Sequence, residues 1–448
     1  MTQDPAARRV GLLIFILTFL VFLISPVCGH SDARFSMLVS ESIIHQHSTY
    51  LNAYRFPAPI QESAACIAPA PPLPRGLVTY QLDRVNGNVV YCYPNGSSVL
   101  SVPFVAAMNL FGVYPYDPDG EYNLAGEVKI QRMLAALLMA GYSLVVFRMA
   151  LSLLSIGPAA AIAVGTAFGT QVWSTASRAM WAHTWFILLG GLVAYSLLKR
   201  ETGHKSFGPI VFATLLSWMY FVRPTGTIPI VCVSVYLLAY HRREFVKYAL
   251  TGGTWFACFV AYSRLTYSRS IPEYYLDSRI NPLGLATALP GILISPSRGL
   301  FVYVPIAGFV LYLLIRYWRN VPCKPLAMLA LTIVALQIVT VALWTWWWGG
   351  WSYGPRLLAD SVPWLALIAV LGCAARVGGV KAAHFSRIEV AAAATLLILS
   401  IAINGRGASS WATARWNLDV DIDSHPERAF DWSYPQFLAG IVAPPKKQ

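Results

Sequence analysis

The sequence predicts an all-α, polytopic membrane protein with about 11 transmembrane helices. Three observations carry that class. Hydrophobic residues make up 56% of the 448 residues, charged residues only 12%, and mean hydropathy is +0.55, where a soluble domain carries about 25% charged residues. Apolar runs long enough to cross a hydrocarbon core of roughly 30 Å recur along the chain. The basic residues gather in short clusters between alternate runs. Together these exclude a disordered chain, a disulfide-dense secreted scaffold and a soluble enzyme with one hydrophobic core. A formal charge of +13 would point a soluble protein towards nucleic acid; here its distribution decides.

The eleven runs are 10–28, 130–150, 156–175, 179–198, 208–222, 225–240, 248–266, 300–316, 325–343, 362–378 and 388–404. Several are short or interrupted by Pro or Gly, which membrane helices tolerate where neighbours satisfy the freed backbone groups. The pair 208–222 and 225–240 rests on the break at Arg223-Pro224. The first run follows Arg8 and Arg9 and leads to Ser25-Pro26-Val27-Cys28-Gly29. Its apolar stretch of about 17 residues exceeds the core of about 7–15 in a cleaved signal. A retained helix stopped by Pro26 is expected.

Placing residues 1–9 in the cytoplasm and alternating sides puts six clusters inside: Arg8/Arg9, Arg148, Lys199/Arg200/Lys205, Arg242/Arg243/Lys247, Arg316/Arg319/Lys324 and Arg376/Lys381/Arg387. Against them stand Asp4, Glu201, Glu244 and Glu389, a net +11, while the other side holds 18 basic and 16 acidic residues, a net +2. The positive-inside rule then sets the N-terminus in the cytoplasm and the C-terminus outside. No nucleic-acid partner is expected. The outer side carries every long loop: 29–129, 267–299, 344–361 and a tail, 405–448, after a transmembrane domain of 1–404. Transporters usually have short loops on both sides. This asymmetry suits chemistry at the outer surface.

The first loop opens with Ser31-Asp32-Ala33-Arg34-Phe35. Asp32 is a candidate N-cap for a helix over 33–45. It is equally a candidate general base, a carboxylate at the boundary of an apolar phase. Phe35, Leu38, Val39, Ser42 and Ile43 fall near one face of that helix, which reads as interfacial. Residues 55–76, rich in Pro and Ala, read as an extended linker. Tyr91-Cys92-Tyr93-Pro94-Asn95-Gly96-Ser97-Ser98 leads into the apolar run 99–113, a re-entrant or interfacial helix. Tyr93 there is a candidate sugar or lipid contact on a cavity wall. Asp117-Pro118-Asp119 reads as a solvated turn rather than a metal site.

Seven cysteines are present; Cys28, Cys232, Cys258, Cys323 and Cys373 lie in or beside runs and read as small core residues. Cys66 and Cys92 share the outer loop, where a disulfide is open. No Cys/His spacing suits zinc and no Walker-type loop is present, so neither a zinc site nor ATP hydrolysis is expected; no cofactor is called for, and a divalent metal is left open.

Further on, Arg178 and His183 sit among aromatic residues at the outer face and are candidates for a lipid phosphate. Their alternative is snorkelling and a satisfied core histidine. Trp344-Thr345-Trp346-Trp347-Trp348-Gly349-Gly350-Trp351-Ser352-Tyr353-Gly354-Pro355-Arg356 has five Trp within eight residues, more than an aromatic belt needs. Trp347, Trp348, Trp351 and Tyr353 are candidate sugar or lipid contacts. Arg356 offers a guanidinium fork suited to phosphate, and Arg298 stands at a comparable depth. The tail, with Asp431-Trp432-Ser433-Tyr434-Pro435-Gln436-Phe437, is too poor in apolar residues to fold alone and is expected to pack on the outer loops.

These segments, in this order, resemble the GT-C superfamily of integral-membrane glycosyltransferases. The branch most similar is the bacterial one of protein O-mannosyltransferases and lipid A aminoarabinose transferase. The resemblance runs through the Asp after the first helix, the Tyr-x-Pro-x-Gly-x-Ser segment, Ser295-Pro296-Ser297-Arg298-Gly299-Leu300-Phe301-Val302-Tyr303, the Trp-rich segment and the tail, over about 10–437. The individual motifs are short; their order is the stronger signal. The resemblance implies a GT-C-like bundle in a bacterial plasma membrane. It implies inverting transfer of a sugar from a polyprenyl-phosphate donor to a glycan, lipid or protein acceptor on the extracytoplasmic face. It casts Asp32 as general base and Arg356, with Arg298, Arg178 or His183, as stabilisers of the phosphate leaving group. The chain departs from the family's Asp-Glu pair, since Ala33 follows Asp32, and Glu41 is the remaining candidate for the second carboxylate. A transporter or lipid flippase would bring repeated halves and buried mid-span charges, and an O-antigen ligase or polymerase a late main loop. Neither pattern is evident.

Overall fold

The computed structural model describes residues 4–29, 31–62, 66, 79–276, 280–377 and 385–443. Helices dominate. In chain order they are α1 (Pro5–Ile24), α2 (Ser36–Gln46), α3 (Gly96–Asn109), α4 (Leu124–Ala150), α5 (Ile156–Phe168), α6 (Ala182–Glu201), α7 (Pro209–Val222), α8 (Thr227–Tyr240), α9 (Arg242–Tyr267), α10 (Leu285–Ile294), α11 (Leu300–Tyr303), α12 (Ile306–Arg316), α13 (Lys324–Leu343), α14 (Val362–Val377), α15 (Arg387–Ser409) and α16 (Trp411–Asp419). Six helical stretches among the described residues are long and apolar enough to cross a membrane: α1, α4, α6, α13, Arg356–Val377 and α15. Shorter apolar helices coincide with the other expected runs, apart from α9, so length and apolarity alone give six spans rather than eleven.

Local chemistry sets the boundaries. Asp4 caps α1 by accepting the Ala6 N–H at 2.9 Å, with Pro5 in the first turn, and Ser25-Pro26 ends it in extended backbone. Asn123 caps α4. Ser386 and Glu389 form a capping box on α15. At Arg223 the backbone turns extended (φ −160°, ψ 133°) ahead of Pro224, dividing one apolar run into α7 and α8. The Arg356–Val377 stretch is the central one, with 83% of its apolar window buried, whereas α1 and α15 are 22% buried and lie at the rim.

The first long loop is not purely helical. Strands β1 (Ile60–Gln61), β2 (Thr79–Val85) and β3 (Asn88–Tyr91) form a small sheet in the order β1-β2-β3. β2 and β3 are antiparallel around Asn86-Gly87, both at positive φ (51° and 78°), the backbone a two-residue hairpin demands. This corrects the all-α expectation. Most of the expected linker 55–76 lies outside the described residues.

The helix expected at 33–45 begins later, at Ser36, and much of it is enclosed by protein. α2 is buried along Ser36, Met37, Leu38, Val39, Ser40, Glu41 and Ser42, because α3 covers its polar side. Ser40 donates to the Ser98 carbonyl at 2.7 Å, and Asn109 donates to both Glu41 oxygens at 3.1 and 2.9 Å. Asp32 does not cap it. The N-cap position is Phe35, in the left-handed region at φ 72°, with no side-chain cap of its own. The cap comes from α4: the Glu127 carboxylate accepts the N–H groups of Phe35 and Met37, each at 2.9 Å, and the hydroxyl of Tyr122.

Glu127→Ala removes the acceptor for two buried backbone donors. It should lower stability by about 3 kcal/mol, read as the unfolding midpoint of purified protein in detergent. An unchanged midpoint would show that α2 is held by its apolar contacts alone.

Candidate functional site

Asp32 is the point on which the loop end of the bundle converges, and its backbone is held from three sides. Gln81 on β2 donates to the Ser31 carbonyl at 2.9 Å, Tyr91 on β3 donates its hydroxyl to the Asp32 carbonyl, and Gln131 on α4 donates to the Ala33 carbonyl at 2.8 Å. With α2 capped elsewhere, the Asp32 side chain turns the other way. Its Oδ2 accepts Arg356 Nη1 at 2.8 Å. Its Oδ1 has two long contacts, Ser31 Oγ and Tyr93 Oη, both at 3.4 Å. Burial, and next the Asp32 charge, hold the Tyr93 phenol well above its ordinary range, so it remains a hydrogen-bond donor.

Arg356 arrives from the Trp-rich segment. Gly349, Gly350 and Gly354 take φ of 75°, 63° and 57°, the left-handed turns that bring it round. Its Nη2 donates to the Gly349 carbonyl at 2.9 Å, its guanidinium lies 4.3 Å from the Trp181 ring centroid, and its Nε is buried without a hydrogen-bond partner. Asp32 and Arg356 line a cavity with Tyr91, Tyr93, Trp181, His183, Arg223 and Tyr274. Tyr93 and Tyr274 also face an adjoining aromatic chamber with Trp218, Trp255 and Phe259.

Three groups of this site have no counterpart in the sequence reading. Asp360, fully buried, receives His183 Nδ1 at 2.7 Å and Thr225 Oγ1 at 2.8 Å, and lies 2.7 Å from Arg223 Nε. Arg223 registered only as a helix break. Trp181 was passed over as one aromatic residue among several. A signal for Arg223 and Asp360 was available: each is an ionisable residue flanked by apolar sequence, and such residues are site candidates where they are buried in the bundle.

Other candidates lie elsewhere. Arg298 is 1% exposed, and all five of its N–H groups are occupied. Nε donates to the Trp348 carbonyl, Nη1 to Ser297 and Gln436, and Nη2 to Gly350 and Asn417. Burial pushes its guanidinium down to about 10. It is a clamp between the Trp-rich segment and the tail, with no donor left for a phosphate. Arg178 is likewise buried. It donates to the Phe22 and Ser25 carbonyls, the latter at 2.9 Å, and Arg132 reaches Leu23 and Ser25. The two arginines cap the C-terminus of α1, where carbonyls and dipole favour cations. Glu41 pairs with Asn109 and His45, 3.0 Å away, and does not reach Asp32. Burial raises its carboxyl above the usual range.

The Trp-rich segment packs on the tail instead of facing the cavity. Trp348 and Trp351 donate their indole N–H groups to Asp423 and Asp421 at 2.9 and 2.8 Å. Trp347 packs against Gly291 and Phe430. Tyr353 fits under Gly407 and donates to the Ile403 carbonyl at 2.6 Å. Cys66 and Cys92 are joined as a disulfide with Cα atoms 5.0 Å apart. Asp83 is the third member of the one close group of potential metal ligands among the described residues, and its Oδ2 accepts the Cys66 N–H at 2.7 Å. With both sulfurs bonded to each other, that group is a covalent clamp on the sheet.

No family model matches the chain, and no curated protein matches it either. The functional reading therefore rests on the residues themselves.

Arg298→Lys keeps the charge but supplies three donors where five acceptors converge. It should destabilise the tail by about 2–4 kcal/mol, read as faster proteolysis within 411–443. Unchanged protection would mean the tail is held by its apolar contacts.

Proposed function

We propose that the protein is an integral-membrane glycosyltransferase of GT-C type. It transfers a sugar, with inversion, from a polyprenyl-phosphate donor to a hydroxyl of a glycan, lipid or protein on the extracytoplasmic face. The carrying observation is the meeting of Asp32 and Arg356, distant in sequence, at 2.8 Å in the wall of one cavity. A general base and a phosphate-binding fork are the two groups that such a displacement requires. What supports an outer position for this cavity is the charge distribution: the short basic clusters and the long loops fall on opposite sides of the alternating apolar runs.

In the reaction the acceptor oxygen attacks the anomeric carbon, the bond from that carbon to the phosphate oxygen breaks, and Asp32 takes the hydroxyl proton. Polyprenyl phosphate leaves with the bonding electrons, its charge met by Arg356. No cofactor is needed for these steps. The resting cavity, about 30 Å³, holds a water and not a hexose, so the Asp32–Arg356 pair must part as substrate enters. A phosphate taking over Arg356 performs that exchange. It releases the carboxylate to act as base when the donor is present. The neighbouring aromatic chamber offers apolar surface for the first part of the lipid. The ionisable groups near the cavity sit at helix ends, as in His183 at the start of α6 and Arg223 after α7. That favours surface chemistry over a transport path through the bundle.

Asp32→Asn should reduce transfer from undecaprenyl-phosphate-linked sugars by about 10³-fold with unchanged melting. Full activity would remove Asp32 from the mechanism. Arg356→Ala should lower kcat/KM for the donor by about 10²-fold, and unchanged donor kinetics would reduce the Trp-rich segment to an anchor.

A further inference from the structure

The mechanism above leaves one polar wall of the cavity without a role. His183 is 1% exposed and is one of the residues that line the cavity. Its Nδ1 faces Asp360 Oδ1 at 2.7 Å. Asp360 is paired with Arg223 and accepts from Thr225, so it is an ionised acceptor to which His183 Nδ1–H donates. The hydrogen-bond pattern thereby assigns the lone pair of a neutral imidazole to Nε2. Nε2 is buried and has no hydrogen-bond partner among the described residues. Buried polar atoms are nearly always paired, and this one lies on the ring edge away from Asp360. A lone pair repels phosphate oxygens, which are acceptors too. Its partner must be a donor, and hydroxyls are the donors that sugars and their acceptors bring.

We infer that His183 Nε2 accepts a hydrogen bond from a substrate hydroxyl inside the cavity. His183 is then a specificity-determining residue, held in its tautomer by Asp360. This replaces the phosphate contact expected of His183 from its sequence position. It rests on the glycosyltransferase reading and adds the chemistry recognised on the wall shared with Arg223. The hydroxyl belongs either to the sugar being transferred or to the acceptor, and kinetics separate the two sources.

The test uses full-length protein, undecaprenyl-phosphate-linked hexoses and 4-amino-4-deoxyarabinose as donors, and two paired variants. His183→Asn keeps an amide N–H near the Nδ1 position and deletes Nε2; His183→Gln returns a polar atom near Nε2. The Asn variant should melt like the wild type yet transfer at least tenfold more slowly, and the Gln variant should recover part of the loss. A sugar hydroxyl as partner raises the donor KM in the Asn variant. An acceptor hydroxyl leaves donor KM and donor hydrolysis unchanged and lowers transfer alone. Nitrogen-15 spectra of histidine-labelled wild type should show an unprotonated Nε2 assigned to His183. Wild-type kinetics in His183→Asn, or an Nε2–H tautomer, overturns the inference while leaving the glycosyltransferase reading intact. A wild type that turns over none of these donors overturns that reading and the inference with it.

Discussion

The architecture of the loop end depends on one buried carboxylate. Glu127, in the first turn of α4, gathers the N–H groups of Phe35 and Met37, the Tyr122 hydroxyl and, at 3.1 Å, the Gln131 amide. Those bonds hold Phe35 in a left-handed conformation that costs a non-glycine residue roughly 1–2 kcal/mol. They cap α2 from outside its own sequence and leave the preceding turn free to present Asp32 elsewhere. Gln131, one turn further on, ties Ala33 to α4 and accepts the Met180 N–H at 3.1 Å. One turn and a half of α4 therefore sets both the angle of the first loop and the entry to α6. Where Asp32 points, and where His183 stands opposite, are consequences of that anchorage.

In and behind the cavity wall the charges are paired. Asp32 is matched by Arg356, and Asp360 by Arg223. Buried ions are costly unless compensated, and pairwise compensation lets four of them share a small low-dielectric space. It also gives an entering anion something to displace. The half-buried Asp32, 32% exposed against 0% for Asp360, is the member of the set that can exchange partners; Asp360, sealed by three neighbours, keeps its geometry throughout.

Much of this was legible in the sequence, and the reasons it stopped being legible are physical. Apolar runs gave helix positions because hydrophobic length is a local property. Asp32, Arg356, Tyr93 and His183 were named from their places beside such runs, and the structure brings all four to one cavity. Arg298 and Arg178 were named on the same grounds and lie elsewhere. Whether a guanidinium is free depends on where distant carbonyls converge: the tail and Trp-rich segment for Arg298, the end of α1 for Arg178. Trp347, Trp348, Trp351 and Tyr353 are tail anchors for the same reason. The hairpin at Asn86-Gly87 carried its own local signal in a stretch between the expected linker and the apolar run 99–113 that was given no element. Asp360 was hidden by standing at the edge of a run, where a charge looks like punctuation.

The Asp32–Arg356 pair spans 324 residues of sequence, and that separation orders the biogenesis of the site. Synthesis is vectorial, and domains form as their parts emerge. Asp32, its β2 and β3 supports and the Glu127 anchor are all made before the segment that carries Arg356. For most of translation the carboxylate lacks its own ion-pair partner. The cavity closes only when the Trp-rich turns and the tail they grip have been threaded into place. A chain cut before residue 356 lacks both Arg356 and Asp360, and so leaves Asp32 and Arg223 each without its ion-pair partner. The last fifth of the chain thus supplies the partners for charges that the first half has already placed.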